Sequence, residues 1–214
     1  MSRRMLALGA GGVVLIAVVA VIALTALGGG GGKGLAPEPA SGQVRAVQPN
    51  VTIVAASDRS PLPALAGETL DGSSLDLAGD RGHVIVLNFW ASWCGPCRSE
   101  QAGLERAARD LAGQGVRFVG MNIRDQRAAA LAYEREFKTP YPSLFDPSAA
   151  LTAKLRDQAP AFPPATLVID EQGRIAARIN GAINGGLGSA ELQAGLLADV
   201  IAQVRAGGGR EAGR

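Results

Sequence analysis

The chain has 214 residues, 47% of them hydrophobic, which suffices for one domain with a proper core and a membrane segment besides. Its formal charge is only +2, and Arg3 and Arg4 supply all of it, so nothing here forms a nucleic-acid footprint. Two cysteines and one histidine cannot complete a four-ligand zinc site, and no resident metal or cofactor is implied.

Met1-Ser2-Arg3-Arg4 precedes an uncharged stretch from Met5 to Leu27. That length spans a bilayer and exceeds the usual apolar region of a cleaved signal. By the positive-inside rule Arg3 and Arg4 stay cytoplasmic and the rest of the chain lies outside. The alternative is a cleaved signal, since Ser2-Arg3-Arg4-Met5-Leu6 faintly resembles a twin-arginine leader. No convincing small-x-small cleavage site precedes Gly28 and the apolar run is long, which favours an uncleaved single-pass anchor over residues 1–27. No cysteine follows the run, which excludes a lipoprotein anchor.

Residues 28–59 read as a Gly/Pro-rich tether with a first short strand around Val51 and Ile53. The main domain is assigned to 60–206, and 207–214 to a polar, disordered tail. Leu65 to Leu77 reads as a hairpin, because Asp71-Gly72 suits positive-φ turn positions. His83, at the start of the next strand, reads as a residue facing water; alone, it has no ligand partner in view.

The apolar run Val84 to Trp90 is a buried strand that breaks at Ala91-Ser92-Trp93. Leu104, Ala107, Ala108 and Leu111 then recur at helical spacing, so Cys94 stands at a helix N-terminus. There the partial positive charge and free N–H groups stabilise a thiolate. In Cys94-Gly95-Pro96-Cys97 the second sulfur can resolve a mixed disulfide formed by the first. Pro96 is tolerated in a first turn that has no use for its missing N–H. A purely structural disulfide is the bland alternative, but so short a loop stabilises little.

Val116 to Ile123 is a second core strand, and Asp125 is the expected cap of a helix carrying Leu131, Ala132 and Phe137. A short strand at Tyr141–Phe145 leads to a helix ending near Leu155, with Asp146 as cap and Pro147 in its first turn. Thr166–Asp170 and Ile175–Ile179 form an antiparallel pair turned by Gly173. Ser189 caps a last helix with Leu192, Leu196, Val200 and Val204 on one stripe. Gly185-Gly186-Leu187-Gly188 lacks the strand–Gly–helix pattern of a phosphate loop.

Glu100 shares the inward stripe of the active-site helix with Leu104 and Leu111, one turn beyond Cys97. A carboxyl among apolar neighbours has a raised pKa and can take or return a thiol proton. The competing reading is a surface glutamate paired with an arginine. Trp93 reads as an aromatic rim beside Cys94, and Trp90 equally as core.

The segment Asn88-Phe89-Trp90-Ala91-Ser92-Trp93-Cys94-Gly95-Pro96-Cys97 resembles the active site of thioredoxin-fold proteins of the TlpA/ResA group, within the redoxin (AhpC/TSA-like) superfamily. The resemblance runs from about Ser60 to Val204. It implies an α/β, thioredoxin-like three-layer α/β/α sandwich with a central mixed sheet, here preceded by one transmembrane helix. Ala128 to Leu155 is similar to the extra helix and strand of that group. The resemblance implies a membrane-tethered thiol–disulfide oxidoreductase in which Cys94 attacks, Cys97 resolves and Glu100 manages the proton. It further implies a cis bond before Pro164, facing the cysteines and lining the substrate groove with Trp93. This chain has Pro163 where the group more often keeps a free N–H, which removes one donor from that groove. Cytoplasmic thioredoxins carry a buried aspartate where this chain has Asn88; an amide cannot titrate, so Asn88 reads as a locally hydrogen-bonded strand residue.

The implied task is reduction of the haem-attachment cysteines of apocytochrome c, with electrons from a membrane-embedded thiol donor. A disulfide-forming oxidase is the alternative, since the motif does not set the potential, although Gly95-Pro96 leans toward reduction. A copper-binding module ranks lower because His83 precedes the cysteines instead of following them. A peroxidase ranks lower still.

Overall fold

The computed structural model describes residues 50–207; the anchor, most of the tether and the tail beyond Gly207 lie outside the described residues. Among the described residues eight strands occur: β1 Val51–Ile53, β2 Ala66–Glu68, β3 Ser74–Asp76, β4 Val84–Trp90, β5 Val116–Ile123, β6 Ser143–Asp146, β7 Ala165–Ile169 and β8 Ile175–Asn180. The helices are α1 Gly95–Asp110, α2 Arg127–Phe137, the short α3 Ala150–Ala153 and α4 Ala190–Arg205. Among the described residues no helix is long and apolar enough to cross a membrane.

β4 is buried at every position because it runs between β5 and β7 with both its faces covered. The six-stranded sheet has the order β1-β8-β7-β4-β5-β6. Its β4, β5 and β6 are mutually parallel, and β7, β8 and β1 are joined antiparallel, so the sheet is mixed. β1 thus joins the sheet, and the folded unit takes in Asn50–Arg59 as well as the span read from Ser60 onward.

The pleat sorts β4 between two cores. Val84 and Val86 pack with Leu104 and Ala107 of α1 and with Leu197, Val200, Ile201 and Val204 of α4. Ile85, Leu87 and Phe89 face Leu65, Leu77, Met121, Leu144 and Leu155. Each such side chain stabilises by about 1.5–3 kcal/mol when fully buried. The second face is covered by the β2–β3 hairpin, the turn at Leu77 and the short α3 region, where a full helical layer was expected. The reason is that α2 packs beside α1, with Ala130 and Tyr133 against Trp90, Cys94 and Cys97.

Several local expectations are refined by packing. The Asp71-Gly72 hairpin forms, with Gly72 at φ 90°. In α2 the buried anchors are Ala130 and Tyr133, whereas Ala132 is exposed. Asp125 does not cap α2, whose N-cap Gln126 makes no side-chain cap bond. α3 begins only at Ala150, after a turn containing Pro147, yet Asp146 still accepts from the N–H groups of Leu151 and Thr152. The expected α4 stripe holds at Val200 and Val204 and, partly buried against the same core, at Leu196; Leu192 is 42% exposed, and Gln193, Ala194, Leu197 and Ile201 widen the buried face. His83 is partly buried, and its Nδ1 is enclosed without a hydrogen-bond partner among the described residues. Gly120 lets Trp90 Nε1 reach Ser143 Oγ at 3.3 Å; a Cβ there would lie 2.7 Å from that nitrogen.

Arg59 pins three elements that the chain order keeps apart. Its guanidinium donates to Val54 O at 3.1 Å, Asp170 Oδ2 at 3.1 Å and Val204 O at 3.0 Å. Burial works to raise the Asp170 pKa, but bonds from the Arg174 N–H and side chain and from Arg59 outweigh it and hold the carboxyl below its usual value. Removing one partner of a buried pair leaves the other uncompensated. We expect Arg59→Leu to cost about 3–5 kcal/mol in urea denaturation; a loss of only a few tenths would show that Arg174 alone suffices for Asp170.

Candidate functional site

β4 ends at Trp90, and the turn through Ala91, Ser92 and Trp93 delivers Cys94 as N-cap of α1. Asp125 holds this turn: one carboxylate oxygen accepts from Ser92 N at 2.6 Å and from Asn122 Nδ2 at 2.9 Å, the other from Ser92 Oγ at 2.8 Å. The Asp125 side chain therefore serves the active-site turn across 33 residues of chain. Cys94 and Cys97 form a disulfide with S–S 2.05 Å, and Cys94 Sγ accepts from Cys97 N at 3.2 Å. That N–H is a free donor of the first helical turn, the kind of group that stabilises a thiolate.

In the disulfide form both sulfur residues are largely covered, Cys94 at 3% exposure and Cys97 at 1%. Trp93 projects from the rim, 57% exposed, with its indole N–H on Arg124 O at 3.0 Å. Trp90 belongs to the core, stacked 4.6 Å from the Tyr133 ring. The Pro163–Pro164 bond is cis. β7 sets Ala165 opposite Phe89, so Pro164 lies at the end of β4 from which the cysteine turn departs. Neither proline has a backbone N–H, and the preceding Phe162 is 73% exposed, which gives this loop an apolar face.

Glu100 is completely buried, as its place on the α1 stripe implied. Its two oxygens are held separately: Oε1 accepts from Asn88 Nδ2 and Oε2 from Ile183 N, each at 2.8 Å. Burial raises its pKa to about 7, and these two hydrogen bonds limit the rise. The carboxyl therefore changes charge near neutral pH inside the protein. No surface arginine pairs with it among the described residues.

Two contributions were not legible from the motif. Tyr133 Oη donates to Cys97 O at 3.1 Å, tying the helix beside the cysteines to α2. Burial, with the Glu100 charge second, keeps that phenol neutral well beyond its usual range. Asn88, read as a strand residue with local bonds only, reaches Glu100 across 12 residues and Thr166 Oγ1 at 3.1 Å across 78. The alternation of β4 was the available signal, since Asn88 shares the face of Val84 and Val86 that meets α1.

Residues 49–195 match the Redoxin family, over more than half of the chain. The chain belongs to that family. Among the solved structures similar to this Redoxin is a DsbF homologue from Corynebacterium diphtheriae, with 30% identity and TM-score 0.62 over 81% of this chain and 99% of that one. A secreted thiol-disulfide isomerase from Corynebacterium glutamicum has 29% identity and TM-score 0.61 over the same shares. The thiol:disulfide interchange protein DsbE of Escherichia coli is 36% identical over 125 residues, which is 56% of this chain and 64% of that protein. The Redoxin thus spans a little under two thirds of that relative. Its fold, in its core strands and mixed sheet, is the thioredoxin-like one.

A carboxyl whose pKa is raised on folding stabilises most when protonated. The Glu100 contribution is fully present below its unfolded value of 4.5 and is lost as pH rises through about 7. The pKa difference corresponds to roughly 3 kcal/mol across that window. We expect Glu100→Gln to flatten the fall in stability between these pH values, measured by urea unfolding; parallel profiles for the two proteins would mean that Glu100 stays ionised throughout.

Proposed function

We propose that this Redoxin is a thiol–disulfide oxidoreductase that acts on protein clients outside the membrane. The observation that carries the reading is the Cys94–Cys97 disulfide at a helix N-terminus, with the buried Glu100 carboxyl one turn beyond it. Cys97 is the leaving and resolving sulfur, and Cys94, whose Sγ receives the helical N–H, is the nucleophile. A client thiolate attacks the disulfide, or the Cys94 thiolate attacks a client disulfide, through a mixed disulfide on Cys94. Electron balance requires that a dithiol be oxidised for every disulfide reduced. Glu100 gives or takes the proton of Cys97 in that exchange, for which a pKa near 7 is matched to neutral pH.

The client segment lies across Trp93 and the Pro163–Pro164 loop, where apolar contact takes the place of the N–H donor that Pro163 lacks. Reduction of apocytochrome c cysteines, fed by a membrane-embedded thiol donor, is the task the resemblance to the TlpA/ResA group supports. The name DsbE, a thiol:disulfide interchange protein, is consistent with the chemistry. Residues 1–27 serve as an uncleaved anchor with the Redoxin domain on the outer side, on the strength of the uncharged Met5–Leu27 run behind Arg3 and Arg4.

Replacing Cys97 with Ser is expected to accumulate mixed disulfides formed when Cys94 attacks client disulfides, read on non-reducing gels; accumulation in the Cys94→Ser variant instead would reverse the two roles. A redox titration of the same pair decides direction: a strongly reducing potential supports cytochrome maturation, and an oxidising one supports disulfide formation. The anchor predicts a mature protein that sediments with membranes and begins at Met1 or Ser2. N-terminal sequencing that starts at Gly28 or later would replace the anchor with a cleaved leader.

A further inference from the structure

The two oxygens of Glu100 meet donors of different kinds. Oε2 faces the backbone N–H of Ile183, which can only donate and cannot turn. Oε1 faces the side-chain amide of Asn88, which carries an acceptor oxygen beside its donor nitrogen. An ionised carboxylate only accepts, so the nitrogen must face it while Glu100 is charged. A protonated Glu100 must find an acceptor for its O–H, and the Ile183 N–H beside Oε2 offers none. The proton therefore sits on Oε1, against Asn88. Left as it stands, the amide would then present N–H to O–H, an unpaired contact in a fully buried site.

We propose that Asn88 is the positioning residue for the Glu100 proton. Its amide donates to Oε1 while Glu100 is ionised and turns end over end to accept from Oε1–H when Glu100 takes a proton. The turn gives up a long contact of Asn88 Nδ2 with Ala165 O at 3.5 Å, and Thr166 offsets that loss. Its hydroxyl accepts from Asn88 Nδ2 at 3.1 Å and, being both donor and acceptor, can instead donate to Asn88 Oδ1. The proposal rests on the reading that Glu100 exchanges a proton with the cysteine pair. An aspartate at position 88 could not perform the turn, because its ionised form has no donor. Asn88, which cannot titrate, thereby serves both charge states of the group that does.

The ionisable groups that share these surroundings are Cys94 and Cys97 on α1 and the phenols of Tyr133 and Tyr141, whose ionisation the Glu100 charge opposes. No cation among the described residues helps to hold the Glu100 charge; its supports are the Ile183 and Asn88 hydrogen bonds.

The test is an NMR titration of the full chain in detergent, in its disulfide form, with glutamate side-chain carboxyls labelled with ¹³C. Loss of one signal in Glu100→Gln assigns the Glu100 resonance. Through its midpoint, the cross-relaxation between the Asn88 Nδ2 protons and the Thr166 methyl group should weaken several-fold as pH falls. Asn88→Leu, of similar shape but with neither donor nor acceptor, should raise the proton affinity of Glu100 about tenfold, because bonds to a charged acceptor are roughly twice as strong as neutral ones. A contact unchanged across the transition, or a midpoint in Asn88→Leu within twofold of wild type, overturns the proposal. Should Asn88→Leu fail to fold, the wild-type contact decides alone. Adduct trapping by Cys97→Ser is independent of either result, so failure of the amide turn and failure of the oxidoreductase reading are told apart.

Discussion

A strand buried on both faces has to release its chain somewhere, and in this protein the release point is the chemical site. β4 is enclosed by β5, β7 and two apolar cores, so its direction and end are set by the whole domain. The turn that follows is held by Asp125 and carries Cys94 onto the first turn of α1. Everything the site needs from the helix, its free N–H groups and its positive end, follows from where that strand stops.

Burial has two opposite uses around this point. It makes the apolar faces of β4 stabilising, and it makes the Glu100 carboxyl costly to charge. The cost is moderated by two hydrogen bonds, neither from a cation, which leaves the group poised near neutrality. A salt-bridged carboxylate, such as Asp170 between Arg59 and Arg174, is held in the opposite sense and fixed as a charge. One fold thus contains a structural acid and a titrating acid, and the difference lies in what each faces.

The segment between β5 and β7 also has a physical role. α2 lies beside α1, where Tyr133 binds the Cys97 carbonyl and its ring stacks between Trp90 and Phe137. Arg98, next to Cys97, lies over the Tyr133 and Phe137 rings and pairs with Glu136. The exposed side of the cysteine helix is braced in this way by α2. The opposite face of the sheet, which α2 leaves free, is closed by the hairpin and the short α3 region.

Contiguous residues were enough to determine the strand–turn–helix at the cysteines, the Asp71-Gly72 hairpin, the Ser189 cap and the inward course of Glu100. Each of these depends on periodicity or capping within a few positions, which are properties of the chain itself. The stripe on α4 fails only at its first position, where Leu192 stays 42% exposed and the neighbouring Gln193 packs inward and donates to Ser99 O. Tyr133, not Ala132, is buried in α2 because an aromatic side chain with a hydroxyl finds both a ring and a carbonyl to meet. Asn88 was the largest departure. Its partners Glu100 and Thr166 are 12 and 78 residues away, and Ile183, which shares Glu100 with it, is 83 residues beyond that carboxyl. No local pattern records such a meeting, since only the pairing of β4 with β7 and the seating of α1 on the sheet bring four separate segments to one buried carboxyl.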